Sequence, residues 1–497
     1  MNKRQTFINL FISVLSNIII LIMGFIIPRI LLTHYGSDTN GLISTISQIF
    51  TYVALLEAGI SQATLNALYK PLHDKDKQST INVLFASRKY YRHVTHLYAT
   101  LVIVLSIILP FIIKSELSYF TISLAVFFEG ASGVVSFYFI QTPSILLTAD
   151  GKTYIKSIIE LVIKFGGYGI KIILALMGFS IVYIQLGYFL LSLVKVLLYY
   201  IVIQKKYKWL DYTKCDNKNL KLPNRNDFVV SELAWTFFSS TDLIVLSIFA
   251  STKMSSVYSV NNMAFLALNN LLNAAYYAIY YLLGKTYYTD MNQYRKIHDA
   301  FNSFFMGLVT VFMGVGLLLA GPFIKLYTAG VTDTEYNLYW LPFCFCVIQI
   351  LSWSRYVSGN LSGIAGYAKQ VSYISLLEAF INAFFSVILV NIWGIYGVVI
   401  ATIAALPIKV VYTNYIADKV IMKRSVFQTI KILGINYLLF AGIVFVRSKI
   451  TFNINNYFSF AIHGIILVAI IGFITLCANF LVNPLIFSSL KRMLRKR

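Results

Sequence analysis

The chain has 497 residues, 58% hydrophobic and only 12% charged, with a formal net charge of +22. Soluble domains carry about 25% charged residues, so this composition excludes an ordinary soluble globular protein. Apolar runs of about 20 residues recur throughout, which is the pattern of a polytopic helical membrane protein.

Taken in chain order, hydropathy predicts an all-α integral membrane protein with fourteen transmembrane helices. The predicted spans are 8–32, 42–68, 94–113, 118–147, 155–177, 180–203, 228–250, 257–283, 300–321, 337–359, 371–392, 395–417, 427–446 and 457–481. Ile18–Ile27 runs on into IPRILLTHYG without a small-residue cleavage site, so the first segment is expected to be retained as a span. With both termini cytoplasmic, 29 Lys and Arg fall in inside segments and five in outside loops. That asymmetry sets the orientation. It also explains the +22 charge as a topology signal and an attraction to anionic membrane lipid, with no nucleic-acid partner expected. No outside loop is long enough to fold as a domain. There is no Walker loop, no HExxH and no GxGxxG after a strand, which argues against an ATP-driven pump. Cys215, Cys344, Cys346 and Cys477 lack disulfide or zinc spacing and read as small hydrophobes.

An internal repeat is visible. GKTYIKSIIELVIKFGGYGIKIILALMGFSIVYIQ begins at Gly151, and GYAKQVSYISLLEAFINAFFSVILVNIWGIYGVVIATIAA begins at Gly366. Each has a Gly-initiated basic loop, a span with an intramembrane Glu, a Gly-containing hairpin and a second span. The offset of about 216 residues implies two six-helix lobes of like orientation, a parallel repeat. The expected domains are a first lobe at 1–203, a cytoplasmic linker at 204–227, a second lobe at 228–420, and helices 13 and 14 with a basic tail at 421–497.

Charges left inside spans are the functional candidates, since each costs about 2.5–3.5 kcal/mol near the bilayer centre. Arg29 follows Pro28 near the outer end of span 1 and reads equally as an interface anchor or a cavity residue. Glu129, Glu232 and Lys431 are expected to pair or to reach the interface. Glu160, Lys164 and Lys171 fall on similar faces of span 5, the lysines seven apart and offset by about 20°. Gly166, Gly167 and Gly169 lie between the two lysines. This reads as a polar, bendable stripe facing a central cavity, or as a Glu160–Lys164 pair beside a snorkelling Lys171. Asp242 sits on span 7. Glu378 and Asn382 are one turn apart on span 11, and Thr402 follows on span 12. These can converge as oxygen ligands for Na⁺ or a proton relay, or form a structural hydrogen-bonded cluster. Arg355, in WSRYVSGN, reads as an inner-interface anchor.

Three stretches together resemble the oligosaccharide and O-antigen flippases of the Wzx type, within the multidrug/oligosaccharidyl-lipid/polysaccharide exporter superfamily. One is LLTHYGSDTNGLISTISQIFTYVALLEAGISQATLNALYK, with Gly36 and Gly41 at the outer turn, then Glu57, Gly59 and Ala63. Another is STDLIVLSIFASTKMSSVYSVNNM, with Asp242 at the acidic position. The third is the hairpin around Gly394 and Gly397. The resemblance extends in order and topology over nearly the whole chain. It implies a bacterial inner (plasma) membrane flippase with alternating access. Its cargo would be an oligosaccharide repeat unit on undecaprenyl pyrophosphate, destined for a surface glycan such as capsule or O-antigen. On that pattern Lys164, Lys171, Arg29 and Glu160 line a cationic cargo cavity. Asp242, Glu378, Asn382, Thr402 and Glu57 are the ion-coupling candidates, with Na⁺ or H⁺ as the ion and no other cofactor. A polysaccharide polymerase complex is an expected partner.

Two rival readings remain. A multidrug/toxin extrusion antiporter should have an acidic cavity for its cationic cargo. A membrane polymerase or glycosyltransferase should frame catalytic acids on an outer domain. Here the outside loops offer only Asp38, Glu116, Asp333 and Glu335.

Overall fold

The computed structural model describes residues 3–57, 60–217, 241–287, 290–450 and 452–484. Among these no strand occurs. Eight helices are long and apolar enough to cross a membrane, or nine if the bent pair Ile22–Glu57 and Ile60–His73 counts as one span. The chain is thus a multi-pass helical membrane protein. The fourteen-span reading draws boundaries from apolar runs alone, and several differ from the helices observed. Residues 228–240 of the expected seventh span, with Glu232, lie outside the described residues.

Helix α1 runs Lys3–Val53 and is broken at Gly36, whose φ of 79° and ψ of 177° belong to a region nearly closed to other residues. A tight helical turn, Ala54–Glu57, leads to α2, Ile60–His73. Helix α3, Lys77–Ile112, begins well before the expected span at 94. Most of the segment read as the loop 69–93 is therefore helix. Asp76 caps α3 by accepting from Ser79 N. The Ser79 hydroxyl and amide hold the Asp76 carboxyl below the usual carboxylate range. Helix α4, Tyr119–Val135, passes through a widened turn into α5, Gln141–Ala149. Helices α6, Thr153–Leu176, and α7, Ile181–Lys206, form the hairpin of the first repeat. The short apolar helix α8 covers Thr241–Ala250.

Helices α9, Thr252–Tyr287, and α10, Met291–Tyr327, follow. The span expected at 337–359 is two pieces, α11, Leu341–Trp353, and α12, Tyr356–Ile364, parted at Ser354–Arg355. Helices α13, Ala368–Trp393, and α14, Ile395–Tyr415, make the second repeat hairpin. Helices α15, Phe427–Arg447, and α16, Tyr457–Val482, end the described chain. The two hairpins share their glycine geometry. Gly151 (φ 68°) and Gly366 (φ 86°) open them, and Gly178 (φ 73°) and Gly394 (φ 56°) turn them.

The residues divide into two compact units, Met1–Ser256 and Val257–Arg497. The first is built on an apolar core that includes Leu42, Ile46, Leu84, Tyr91, Val126 and Leu146. A smaller cluster packs Ile27 and Leu31 of α1 with Ala175 of α6 and Ile181 and Ile184 of α7. In the second unit α10 carries α15 and α16. Thr310 Oγ1 donates to Asn436 Oδ1 (3.2 Å), and Asn436 Nδ2 donates to Asn479 Oδ1 (3.0 Å). Such polar links fasten helices where lipid supplies no hydrophobic drive. Beyond α14, Arg424 grips Asp299 of α10 through Nη1 and Nη2, each at 2.7 Å, and donates from Nε to Asp418 at 2.8 Å.

Candidate functional site

In the second unit one carboxylate meets two cations. Glu378 of α13 is 1% exposed. Arg355, at the break between α11 and α12, donates to Glu378 Oε1. Lys409 of α14 brings Nζ to 3.6 Å from Oε2. The break frees Arg355 to turn inward, and it is buried at 5% exposure. Its reading as an interface anchor is therefore corrected: an inward ion pair took the place of snorkelling.

One turn on, Asn382 is buried. Its Oδ1 accepts from Thr402 Oγ1 (3.0 Å) and Ser386 Oγ (3.1 Å). Its Nδ2 is buried with no hydrogen-bond partner among the described residues. Thus Glu378, Asn382 and Thr402 are brought together as the spacing suggests, with Arg355 and Lys409 beside them. Two cations at one carboxylate make this a poorer cation cage than oxygen ligands alone would be. Among the described residues no group of three or more His, Cys, Asp or Glu could hold a metal ion.

In the first unit the charges of α6 find partners on other helices. Lys171 is within electrostatic reach of Glu129 of α4 and lies 5.1 Å from the centroid of the Tyr188 ring of α7. Gln185 adjoins the same carboxylate. Glu160 faces Lys195 of α7, with Lys156 and Lys164 close enough to act on that ammonium. Lys164 itself is exposed. The three lysines of α6 therefore have separate surroundings, Lys171 beside Glu129 and both Lys156 and Lys164 near Lys195, which faces Glu160. Helix α6 is unbroken through its glycines. Gly166 and Gly167 instead face Leu191 and Tyr188 of α7, so small size serves close packing more than bending.

Arg29 is half-buried on α1, which packs against α6. Glu57 accepts from Gln141 Nε2 at 3.4 Å and adjoins Tyr91. Asp242, 8% exposed on α8, lies beside Tyr52 of α1, whose hydroxyl meets Thr241 Oγ1 at 2.6 Å. Asp242 belongs to the first compact unit, whereas Glu378, Asn382 and Thr402 belong to the second.

Sequence reasoning passed over Glu129, Lys195 and Lys409 as site residues. Each was visible as a charge in a span, but its partner lies on a different helix. Two of the four outside acids have structural duties. Asp38 accepts from Ser115 Oγ (2.6 Å), Glu116 N (3.0 Å) and Thr252 Oγ1, and Glu116 pairs with Lys253 at 2.7 Å.

These helices match solved transporters. The inward closed conformation of the lipid II flippase MurJ aligns over 95% of this chain and 99% of its own, at a TM-score of 0.71 and 13% identity. The chain has the MurJ and MATE transporter fold. An inward-facing multidrug resistance MATE family transporter of the MOP superfamily aligns over 85% of this chain and 95% of its own, with TM-score 0.64 and 11% identity. A MATE crystallised with MaL6 gives 0.50 and 14%, over 84% of this chain and 99% of its own. No family model and no curated protein matches the sequence. At these identities the MurJ and MATE likeness is one of fold.

Proposed function

We propose that this protein flips undecaprenyl-pyrophosphate-linked oligosaccharide repeat units from the inner to the outer leaflet of a bacterial plasma membrane by alternating access. The observation that carries the reading is a cationic excess in the helices of a MurJ/MATE fold. Glu160 faces Lys195, and Lys156 and Lys164 stand close to the same ammonium. Arg355 and Lys409 share Glu378. Such an excess offsets the desolvation of a diphosphate, whereas a cationic drug would meet repulsion. Scattered lysines hold an anion without the bidentate grip of paired arginines, which suits a carrier that must release its cargo. The likeness to a flippase named for lipid II supports a lipid-linked cargo. A polysaccharide polymerase complex would receive it outside.

Coupling to Na⁺ or H⁺ is assigned to Asp242 and to the Glu378, Asn382 and Thr402 group, with Glu57 as a further acid. Because Arg355 and Lys409 already neutralise Glu378, proton or cation exchange there would work by releasing one of them.

The test is the location of lipid-linked oligosaccharide in cells lacking the gene. An impermeant glycosidase on spheroplasts should leave the accumulated glycan intact, and restoring the gene should expose it. Glycan already exposed without the gene would overturn the proposal. The second reading, multidrug extrusion, draws on the MATE likeness. It requires that expression raise resistance to cationic drugs.

A further inference from the structure

Helix α3 carries a basic stripe that the cargo reading does not use. Arg88, Lys89, Arg92, His93 and His96 recur at the three- and four-residue spacing that places them on one side of a helix. With Tyr212 of the segment after α7 they line a cavity of about 680 Å³. The Arg88 guanidinium stacks 4.5 Å from the centroid of Tyr212, and that of Arg92 lies 5.3 Å from the centroid of Tyr138. These rings position the two arginines without neutralising them. Among the described residues Arg88, Lys89 and Arg92 make no ion pair. The nearby carboxylate of Asp211 is turned to the Thr213 amide (3.0 Å) and hydroxyl (2.7 Å).

The same helix face changes character towards its C-terminal end. Past Arg92 and His96 it continues through Thr100 to Ile103, Ile107 and Phe111, which are 54%, 52% and 76% exposed. A basic cavity thus runs directly into an exposed apolar stripe along one helix. The basic half lies on the side that the positive-inside bias assigns to the cytoplasm. A ligand complementary to both halves has an anionic head and a hydrocarbon tail. A soluble anion would use only the first.

We propose that the α3 cavity binds the phosphate-bearing headgroup of an anionic membrane lipid at the cytoplasmic interface, with its acyl chain along Ile103 and Ile107. Arginine and lysine supply charge-assisted hydrogen bonds to phosphate oxygens, and His93 and His96 offer further donors. The cavity lining shares no residue with the charged groups on α6 and α13, and the site stands whatever cargo the protein carries.

The test uses the purified full chain in a non-ionic detergent. Dioleoyl phosphatidylglycerol, dioleoyl phosphatidylcholine and inorganic pyrophosphate are titrated separately, and bound adducts are resolved by native mass spectrometry. Wild type should bind phosphatidylglycerol at least about ten-fold tighter than phosphatidylcholine, since each basic residue near an anionic surface contributes about five-fold. The triple variant R88Q/K89Q/R92Q should lose that preference. Arg92→Gln alone, at an exposed position, should weaken binding about five-fold without touching the core; it carries the test if the triple variant fails to fold. An unchanged preference in the variant that folds would overturn the proposal. Pyrophosphate bound as tightly as the lipid, and displacing it, would overturn the lipid assignment and leave a soluble-anion site.

Discussion

Arg355 and Glu378 form a buried ion pair between the α11–α12 break and α13, and Lys409 approaches the other carboxylate oxygen at 3.6 Å. The two partners are 23 residues apart in sequence. Three charges thus share one enclosed place with a net positive balance. Desolvation makes such a group costly, and only mutual attraction with good hydrogen bonding sustains it. It is therefore sensitive to the loss of any one member and suited to changing partners when the helices move.

Glu378→Gln should expose this directly. It leaves the buried Arg355 and the half-buried Lys409 without a counter-charge, a loss of about 3–5 kcal/mol. The expected result is a lower unfolding temperature in detergent and less folded protein in the membrane. Adding Arg355→Met should recover part of the loss, because one stranded charge is removed. If the double variant were as unstable as the sum of the singles, the pair would not be coupled.

How far the sequence reaches is clear from these same residues. The period of a helix placed Asn382 one turn after Glu378, and the repeat put Thr402 on the next span; the Asn382–Thr402 hydrogen bond agrees with both. Apolar runs located the hairpins, and Gly151, Gly178, Gly366 and Gly394 marked their turns. Partnerships between distant helices were not legible. Periodicity gives the face of a helix but not which helix meets it, so Glu129 beside Lys171 and Lys195 beside Glu160 were missed. Hydropathy also stops where a helix becomes polar, so residues 77–93 of α3 read as loop.

The Asn436–Asn479 link makes a milder prediction. Asn479→Leu leaves Asn436 short of a partner between α15 and α16. Interhelical hydrogen bonds in membranes contribute about 0.5–2 kcal/mol. Proteolysis or hydrogen exchange should report earlier opening of α16 while α3 to α7 keep their protection. Uniform loss of protection would mean that α16 is not a separable element.

Gly41 tests a close backbone approach. A Cβ there would lie 1.7 Å from the carbonyl oxygen of Thr252. No rotamer relieves that overlap, so α1 or the start of α9 has to move. Gly41→Ala should lower stability by at least about 2–3 kcal/mol. Gly36→Ala, which forces a side chain onto a backbone at φ 79°, should cost about 1–3 kcal/mol. Thermal unfolding of both variants checks the comparison, and a Gly41→Ala protein as stable as wild type would contradict the packing described.

Asp242 lies beside Tyr52 and is buried. Asp242→Asn keeps the shape and removes the charge. Transport of lipid-linked glycan should slow by about ten-fold or more, the scale of one lost functional charge contact. More telling, its dependence on an imposed Na⁺ or H⁺ gradient should flatten. A slower protein with wild-type gradient dependence would remove Asp242 from the coupling site and leave it a structural role.

The lysines of α6 should part company. Lys171→Ala strands Glu129, so a loss of transport there mixes folding with cargo contact. The double variant Lys171→Met with Glu129→Gln removes both charges and should restore protein level. If Lys171 touches cargo, transport stays lost in that double variant; if it serves only to neutralise Glu129, transport returns. Lys164 is exposed and needs no compensation. Lys164→Ala should keep wild-type abundance while glycan export falls, and Lys164→Arg, which preserves the charge, should retain most of it. Full export by Lys164→Ala at normal abundance would exclude this lysine from the cargo path and shift the cationic role to Lys195 and Lys156.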